Sequence, residues 1–188
     1  MKTINYVLSG LGGQGILFMT KVLATTALNK GYNILGAETH GMAQRGGSVV
    51  SHLRIGDARS SLIRAGAADF LISMDESEAY RYLPYLKKGG KLFANAKSDA
   101  FPNERVAAYL KKLDIEPRAM EAAKKAMELG SPKSTNLAMI AFYSAFGFGP
   151  LGADDLRATV DKMSPGPFKG MNLNIFDTCY EIGKKMAS

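Results

Sequence analysis

The sequence predicts an α/β protein, a Rossmann-like layered fold whose largely parallel, mixed sheet is flanked by helices. Three observations predict it. The apolar run Ile4-Asn5-Tyr6-Val7-Leu8 leads through a glycine turn into a segment with apolar Ile16, Met19, Leu23 and Ala27 at helical spacing. Short apolar runs then alternate with helical patterns, which is how strands with crossover helices read in sequence. Glycines punctuate these segments at Gly31, Gly89-Gly90 and Gly130. The whole chain, 1–188, reads as one domain whose C-terminal part is mainly helical.

The opening turn is Ser9-Gly10-Leu11-Gly12-Gly13-Gln14-Gly15, in which Gly10, Gly12 and Gly15 fit the G-x-G-x-x-G spacing. A tight strand-to-helix turn needs backbone angles that glycine reaches cheaply. Missing side chains let backbone N–H groups approach a ligand, and the start of a helix attracts anions. Two readings follow. Gly10, Gly12, Gly13, Gln14 and Gly15 form an anion, CoA or nucleotide site, or the turn only lets the first helix pack.

The elements follow in order. A helix is expected over 16–30 and a short strand over 32–37. Glu38 ends that strand, where a dinucleotide-binding fold holds a ribose and where any strand end meets solvent. Residues 38–47 have no period. In 48–55, a strand, Val49, Ser51, Leu53 and Ile55 share one face; Ser48, Val50, His52 and Arg54 share the other. The link before it is short for a parallel crossover, so this strand runs antiparallel or follows a short helix. Gly56-Asp57 is a hairpin signal that returns the chain along 58–63. Strands are expected over 69–74 and 91–96, with a helix over 77–87 between them. A helix over 104–113 precedes an edge strand at 115–120, demoted by Pro117. Helices are expected over 122–129, over 136–146 with a Ser134 or Thr135 cap, over 154–163 and over 170–186.

Composition excludes several classes. The net charge is +7, from 24 Lys and Arg against 17 Asp and Glu. The lysines are spread over helix faces without a basic–aromatic block, so no nucleic-acid partner is expected. No apolar run reaches the ~18 residues of a membrane span. The first residues carry no leader pattern, and Cys179 is the single cysteine. The expectation is a cytoplasmic protein with no membrane contact.

One cysteine cannot hold an iron–sulfur cluster, and Cys179, His40 and His52 have no zinc-site spacing, so no metal is expected here. Cys179 reads as a packed thiol and the ten methionines as core filling. Asp75-Glu76 follow a strand, where α/β proteins place functional groups, and also begin a helix, where they read as capping acids. No catalytic residue is assigned, because His40 has no identifiable nucleophile or acid partner.

The stretch from Glu38 to Gly56, nineteen residues, is the most specific signal: Glu-Thr-His-Gly-Met-Ala-Gln-Arg-Gly-Gly-Ser-Val-Val-Ser-His-Leu-Arg-Ile-Gly. It resembles the gamma-type subunit of 2-oxoacid:ferredoxin oxidoreductases and, within that family, the small (beta) subunit of the indolepyruvate enzymes. The glycine loop, Gly66-Ala67-Ala68-Asp69, and Glu128-Leu129-Gly130 followed by Asn136 extend the resemblance over nearly the whole chain.

The resemblance implies an accessory subunit with a Rossmann-like domain. The assembled enzyme turns a 2-oxoacid and CoA into acyl-CoA and CO2 and reduces ferredoxin. Thiamine diphosphate, Mg and the iron–sulfur clusters would sit on a large partner subunit, none on this chain, and ferredoxin would be met through the complex. The segment from His40 to Arg54 is expected to touch that partner through His40, Gln44, Arg45, His52 and Arg54, with Arg45 as anchor. Two other readings compete. One is a free-standing NAD(P)-binding dehydrogenase, with Glu38 on the ribose and Arg45 on a 2′-phosphate. The other is a nucleotide-sensing or assembly module.

Overall fold

The computed structural model describes residues 2–40 and 46–187, without the side chain of His40. The first strand, β1 (Ile4–Leu11), is buried between its neighbours from Asn5 to Gly10 and opens into α1 (Ile16–Asn29). Then come β2 (Ile34–His40), β3 (Ser48–Ile55) and β4 (Ala68–Ser73). Next are α2 (Glu76–Tyr82), β5 (Leu86–Asn95), α3 (Glu104–Lys112) and β6 (Pro117–Met120). Four helices end the chain: α4 (Ala122–Glu128), α5 (Thr135–Ser144), α6 (Ala153–Met163) and α7 (Gly166–Ala187).

The sheet order is β2-β3-β1-β4-β5-β6. β4, β5 and β6 continue parallel from β1, while β3 runs antiparallel to both β1 and β2. The antiparallel alternative for the third strand is therefore the one adopted. Side chains alternate across the sheet and build two cores. Tyr6, Leu8, Leu53, Ile55, Phe70 and Ile72 meet α1, α5, α6 and α7 on one face. Val7, Val50, Leu71, Leu92 and Ala94 meet α2 and α3 on the other. Tyr6 and Tyr143, both fully buried, bond each other at 2.8 Å, and Tyr143 donates to the Phe148 carbonyl at 3.0 Å. Burial raises the Tyr6 hydroxyl well above the usual tyrosine range, with Tyr143 adding to it.

Several expectations are corrected. Residues 58–63 form no strand, because both edges of β3 are already taken by β1 and β2. They are held instead by side chains of β3. The helix expected over 77–87 stops at Tyr82; Pro84 lies in a 3-10 turn, and β5 begins at Leu86. α7 starts at Gly166, with Pro167 in the first turn, where its missing N–H leaves no bond unmade. Ser134 stands before α5 without a side-chain cap bond, and its hydroxyl meets Ser131 and Asn172 instead.

Candidate functional site at the carboxyl edge of the sheet

The glycine loop follows β1 at the carboxyl ends of the parallel strands, where open α/β sheets place ligands. Its glycines serve different purposes. A Cβ at Gly10 would lie 2.6 Å from Gln14 Oε1 and 2.9 Å from Met74 Cβ, so Gly10 is required by packing. Gln14 folds back over it, and its Oε1 accepts the Leu11 N–H at 2.7 Å. Gly12 donates to the Gly47 carbonyl at 2.8 Å, which ties the loop to the strand β3 that follows the polar segment. Gly13 has φ +100° with none of the described residues beyond its chain neighbours within 4 Å of an added Cβ, and Gly15 has φ +77°. Both angles favour glycine.

Gly15 precedes α1 with no side-chain cap. Among the described residues, no acceptor meets the N–H groups of Gly13, Gly15 and Ile16 to Phe18 at the start of α1; the first helical bond runs from Met19 N to the Gly15 carbonyl at 3.1 Å. The geometry therefore serves both readings of the loop: Gly10 answers to packing, and a set of N–H groups is left for an anion.

The structure does not bring Glu38 to this loop. β3 is inserted between β1 and β2, so Glu38 pairs with Ser51, which in turn pairs with Leu8. Two strand spacings, about 10 Å, separate β2 from β1. The acid of a dinucleotide fold sits on the strand beside the first one, so the ribose role for Glu38 loses its geometry.

The predicted contact residues also separate. Gln44 and Arg45 lie outside the described residues, as does the side chain of His40. Val50 and His52 are buried, so the middle of the second face of β3 is core. His52 Nδ1 accepts the Ile63 N–H at 3.2 Å, and its ring meets Tyr85 edge-on at 5.4 Å. Burial lowers its pKa. A docking role for His52 conflicts with that position. Arg54 is partly exposed, yet its guanidinium donates to Asn5 Oδ1 at 2.9 Å, the Ser60 carbonyl at 2.9 Å and the Leu62 carbonyl at 3.4 Å. It organises residues 58–63 within the chain.

Sequence reasoning missed a polar belt along this edge. Asp75 caps α2, accepting from Ser77 N at 2.9 Å and Glu78 N at 3.3 Å, as expected for a capping acid. Glu78 stands three residues later, where a capping box would turn it back. It is 2% exposed and reaches across to β3 instead. Its carboxylate accepts from the Ser48 hydroxyl, and from Arg81 Nε at 3.0 Å. Tyr82 OH lies 3.0 Å from the same Ser48 hydroxyl. Ser9 donates to Ser73 at 2.9 Å, and Ser73 to the Asp75 carbonyl at 2.7 Å. The one advance signal was Ser48 itself, inside the nineteen-residue stretch. Cys179 is buried and its thiol is pushed up to about 11, as a packed thiol should be. Among the described residues, no group of His, Cys, Asp and Glu could hold a metal ion. No helix among them is long and apolar enough to cross a membrane.

Comparison with known proteins agrees over the full length. The profile of the family described as pyruvate ferredoxin/flavodoxin oxidoreductase matches residues 5–182. The indolepyruvate oxidoreductase subunit IorB of Thermococcus kodakarensis is 35% identical, covering 99% of this chain and 98% of that protein. The IorB subunit of Pyrococcus horikoshii is 32% identical over the same shares. In fold, the gamma subunit of keto/oxoacid ferredoxin oxidoreductase from Geobacter sulfurreducens superimposes with a TM-score of 0.74. It is 22% identical and covers 98% of this chain and 99% of its own. The chain thus belongs to the pyruvate ferredoxin/flavodoxin oxidoreductase family, as a small subunit of a 2-oxoacid:ferredoxin oxidoreductase.

Proposed function

We propose that this subunit serves an indolepyruvate- or other arylpyruvate-type enzyme of the cytoplasm. That enzyme would convert the 2-oxoacid and CoA to acyl-CoA and CO2, passing the electrons to ferredoxin. The observation that carries the reading is the similarity to IorB subunits over nearly both whole chains. Thiamine diphosphate, Mg and the iron–sulfur clusters belong on the large partner subunit. This chain supplies a docking domain. Its polar segment, with His40, Gln44 and Arg45, faces the partner, and the exposed part of Arg54 lies on the same hairpin.

The loop of Gly10, Gly12, Gly13, Gln14 and Gly15 is the place for an anionic group of CoA. The N–H groups of Gly13, Gly15 and the first turn of α1 would donate to a phosphate oxygen. Gly10 and Gln14 shape the loop without touching the ligand.

The test is reconstitution. The isolated chain should be colourless, bind no thiamine diphosphate and show no turnover. Mixed with its large subunit, it should support CoA-dependent ferredoxin reduction by indolepyruvate. A brown isolated chain with stoichiometric iron and sulfide, or a large subunit fully active alone, would sink the reading. Gly13→Asp places a carboxylate beside the free N–H groups. It should raise the apparent KM for CoA and leave that for the 2-oxoacid in place.

A further inference from the structure

The two edges of the sheet are built differently. β6, at one edge, has four residues and begins with Pro117. A short, proline-led edge resists pairing with another strand. β2, at the other edge, has seven residues, Ile34-Leu35-Gly36-Ala37-Glu38-Thr39-His40, with no proline or lysine. Leu35, Gly36, Glu38 and Thr39 are all exposed.

The register fixes which backbone groups stand open. Gly56 donates to the Asn33 carbonyl at 2.8 Å, and the pairs run regularly from Ile34↔Ile55 to His40↔Val49. Antiparallel alternation then bonds Leu35, Ala37 and Thr39 to β3. The N–H and C=O groups of Ile34, Gly36 and Glu38 point outward. No strand among the described residues meets them.

Gly36 is the second observation. Its φ is outside the left-handed region, and among the described residues an added Cβ would meet only the His52 carbonyl, at 3.6 Å. Neither the backbone nor the packing of the described residues calls for glycine there. Within a strand, glycine marks a place where another backbone comes close.

We propose that the outer edge of β2 is completed by an extended segment of the large partner subunit, main chain to main chain, with Gly36 at the closest approach. The inference rests on the subunit reading above. Charge selects the occupant. A second copy pairing about a two-fold over the whole of β2 would set Glu38 diagonal to its own counterpart, and β2 carries no lysine or arginine to offset it. A different chain with a cation beside Glu38 is complementary.

Hydrogen exchange on the isolated chain and on the assembled enzyme tests this. The amides of Ile34, Gly36 and Glu38 should exchange fast in the isolated chain and slow by about tenfold or more on assembly. Those of Leu35 and Ala37 are already bonded to β3 and should change little. Gly36→Pro removes an outward N–H and no bond to β3. It should weaken assembly by about tenfold or more while the isolated chain keeps its melting temperature. Gly36→Ala keeps the N–H and has room in the isolated chain, so a loss of assembly there reports the close approach even if the proline variant fails to fold. Assembly with the three outward amides unchanged would overturn the edge alone. Protection of those amides in an isolated chain that is itself dimeric would assign the edge to a second copy and overturn it too. A wild-type chain that joins no large subunit would overturn the subunit reading, and this inference with it.

Discussion

Asn136, at the start of α5, leans on Gly15 of the glycine loop, 121 residues earlier in the chain. Its amide nitrogen donates to the Gly15 carbonyl at 3.3 Å and would lie 2.3 Å from a Cβ added at that glycine. Two of the segments that carried the family resemblance are therefore in contact. The loop is set by α5 as much as by its own sequence.

Gly15→Ala should accordingly be destabilising for two separable reasons. Alanine at φ +77° costs about 1–2 kcal/mol on its own. Displacing Asn136 adds to that, for a total of roughly 2–4 kcal/mol. Asn136→Ala alone removes one hydrogen bond, worth about 1 kcal/mol. In the Asn136→Ala background the Gly15→Ala cost should fall to the backbone part. Urea unfolding of the four proteins measures this. Equal costs in both backgrounds would show that Asn136 is not the obstacle.

The contact between Glu78 and Ser48 makes a second prediction. It fastens the first residue of β3 to α2, directly after the polar segment. Ser48→Ala leaves a buried carboxylate with Arg81 as its remaining partner and should cost about 1–3 kcal/mol. Glu78→Gln keeps an acceptor for Ser48 and loses the charge. The pair should be non-additive in a double-mutant cycle, by about 0.5–3 kcal/mol. Strict additivity would mean that the hydroxyl and the carboxylate are not coupled.

How much of this was legible in the sequence follows from the range of each interaction. β1, α1, β3 and α4 lie close to where local pattern puts them, because alternation and helical spacing are local. The return strand after Gly56 failed for a non-local reason: the hairpin signal carries no knowledge that β1 and β2 occupy both edges of β3. The same insertion removes Glu38 from the glycine loop. His52 was placed among the partner contacts because its polarity was read without Ile63 and Tyr85, which make its pocket. Glu78 was hidden among capping acids, since Asp75, Glu76 and Glu78 are alike until a partner on another strand is known. The glycine spacing itself was legible, but it did not tell Gly10, which packs, from Gly13, which is open.

Cys179 lies in α7 with its thiol buried and pushed up to about 11 by that burial. The thiolate is the reactive form, so little of it is present near neutral pH. A disulfide reagent such as Ellman's should label the native chain slowly and reach one equivalent only after unfolding. Cys179→Ser puts a hydroxyl in an apolar site and should lower stability by about 1–3 kcal/mol. Stoichiometric labelling of the folded chain within seconds would contradict a packed thiol.

His52 gives the pH dependence. Burial lowers its pKa from the ordinary 6.5, and its Nδ1 accepts the Ile63 N–H. The folded chain therefore binds this proton less readily than the unfolded one. Between the lowered folded pKa and about 6.5, the unfolded state carries more protons, so stability rises with pH. The contribution is complete above about pH 6.5 and is lost as the pH falls below it. Protonation also places a hydrogen on Nδ1, where the Ile63 N–H now donates, which loosens residues 58–63 first. His52→Phe keeps a ring against Tyr85 but leaves the Ile63 N–H without its acceptor. It should cost about 1–3 kcal/mol at pH 8. It should also flatten the fall in stability between pH 7 and pH 5, relative to the wild type. Urea unfolding at unit steps from pH 5 to pH 8 on both proteins isolates the residue, because every other group titrates alike in the two. Parallel curves would mean that His52 takes up its proton as easily in the folded chain as in the unfolded one.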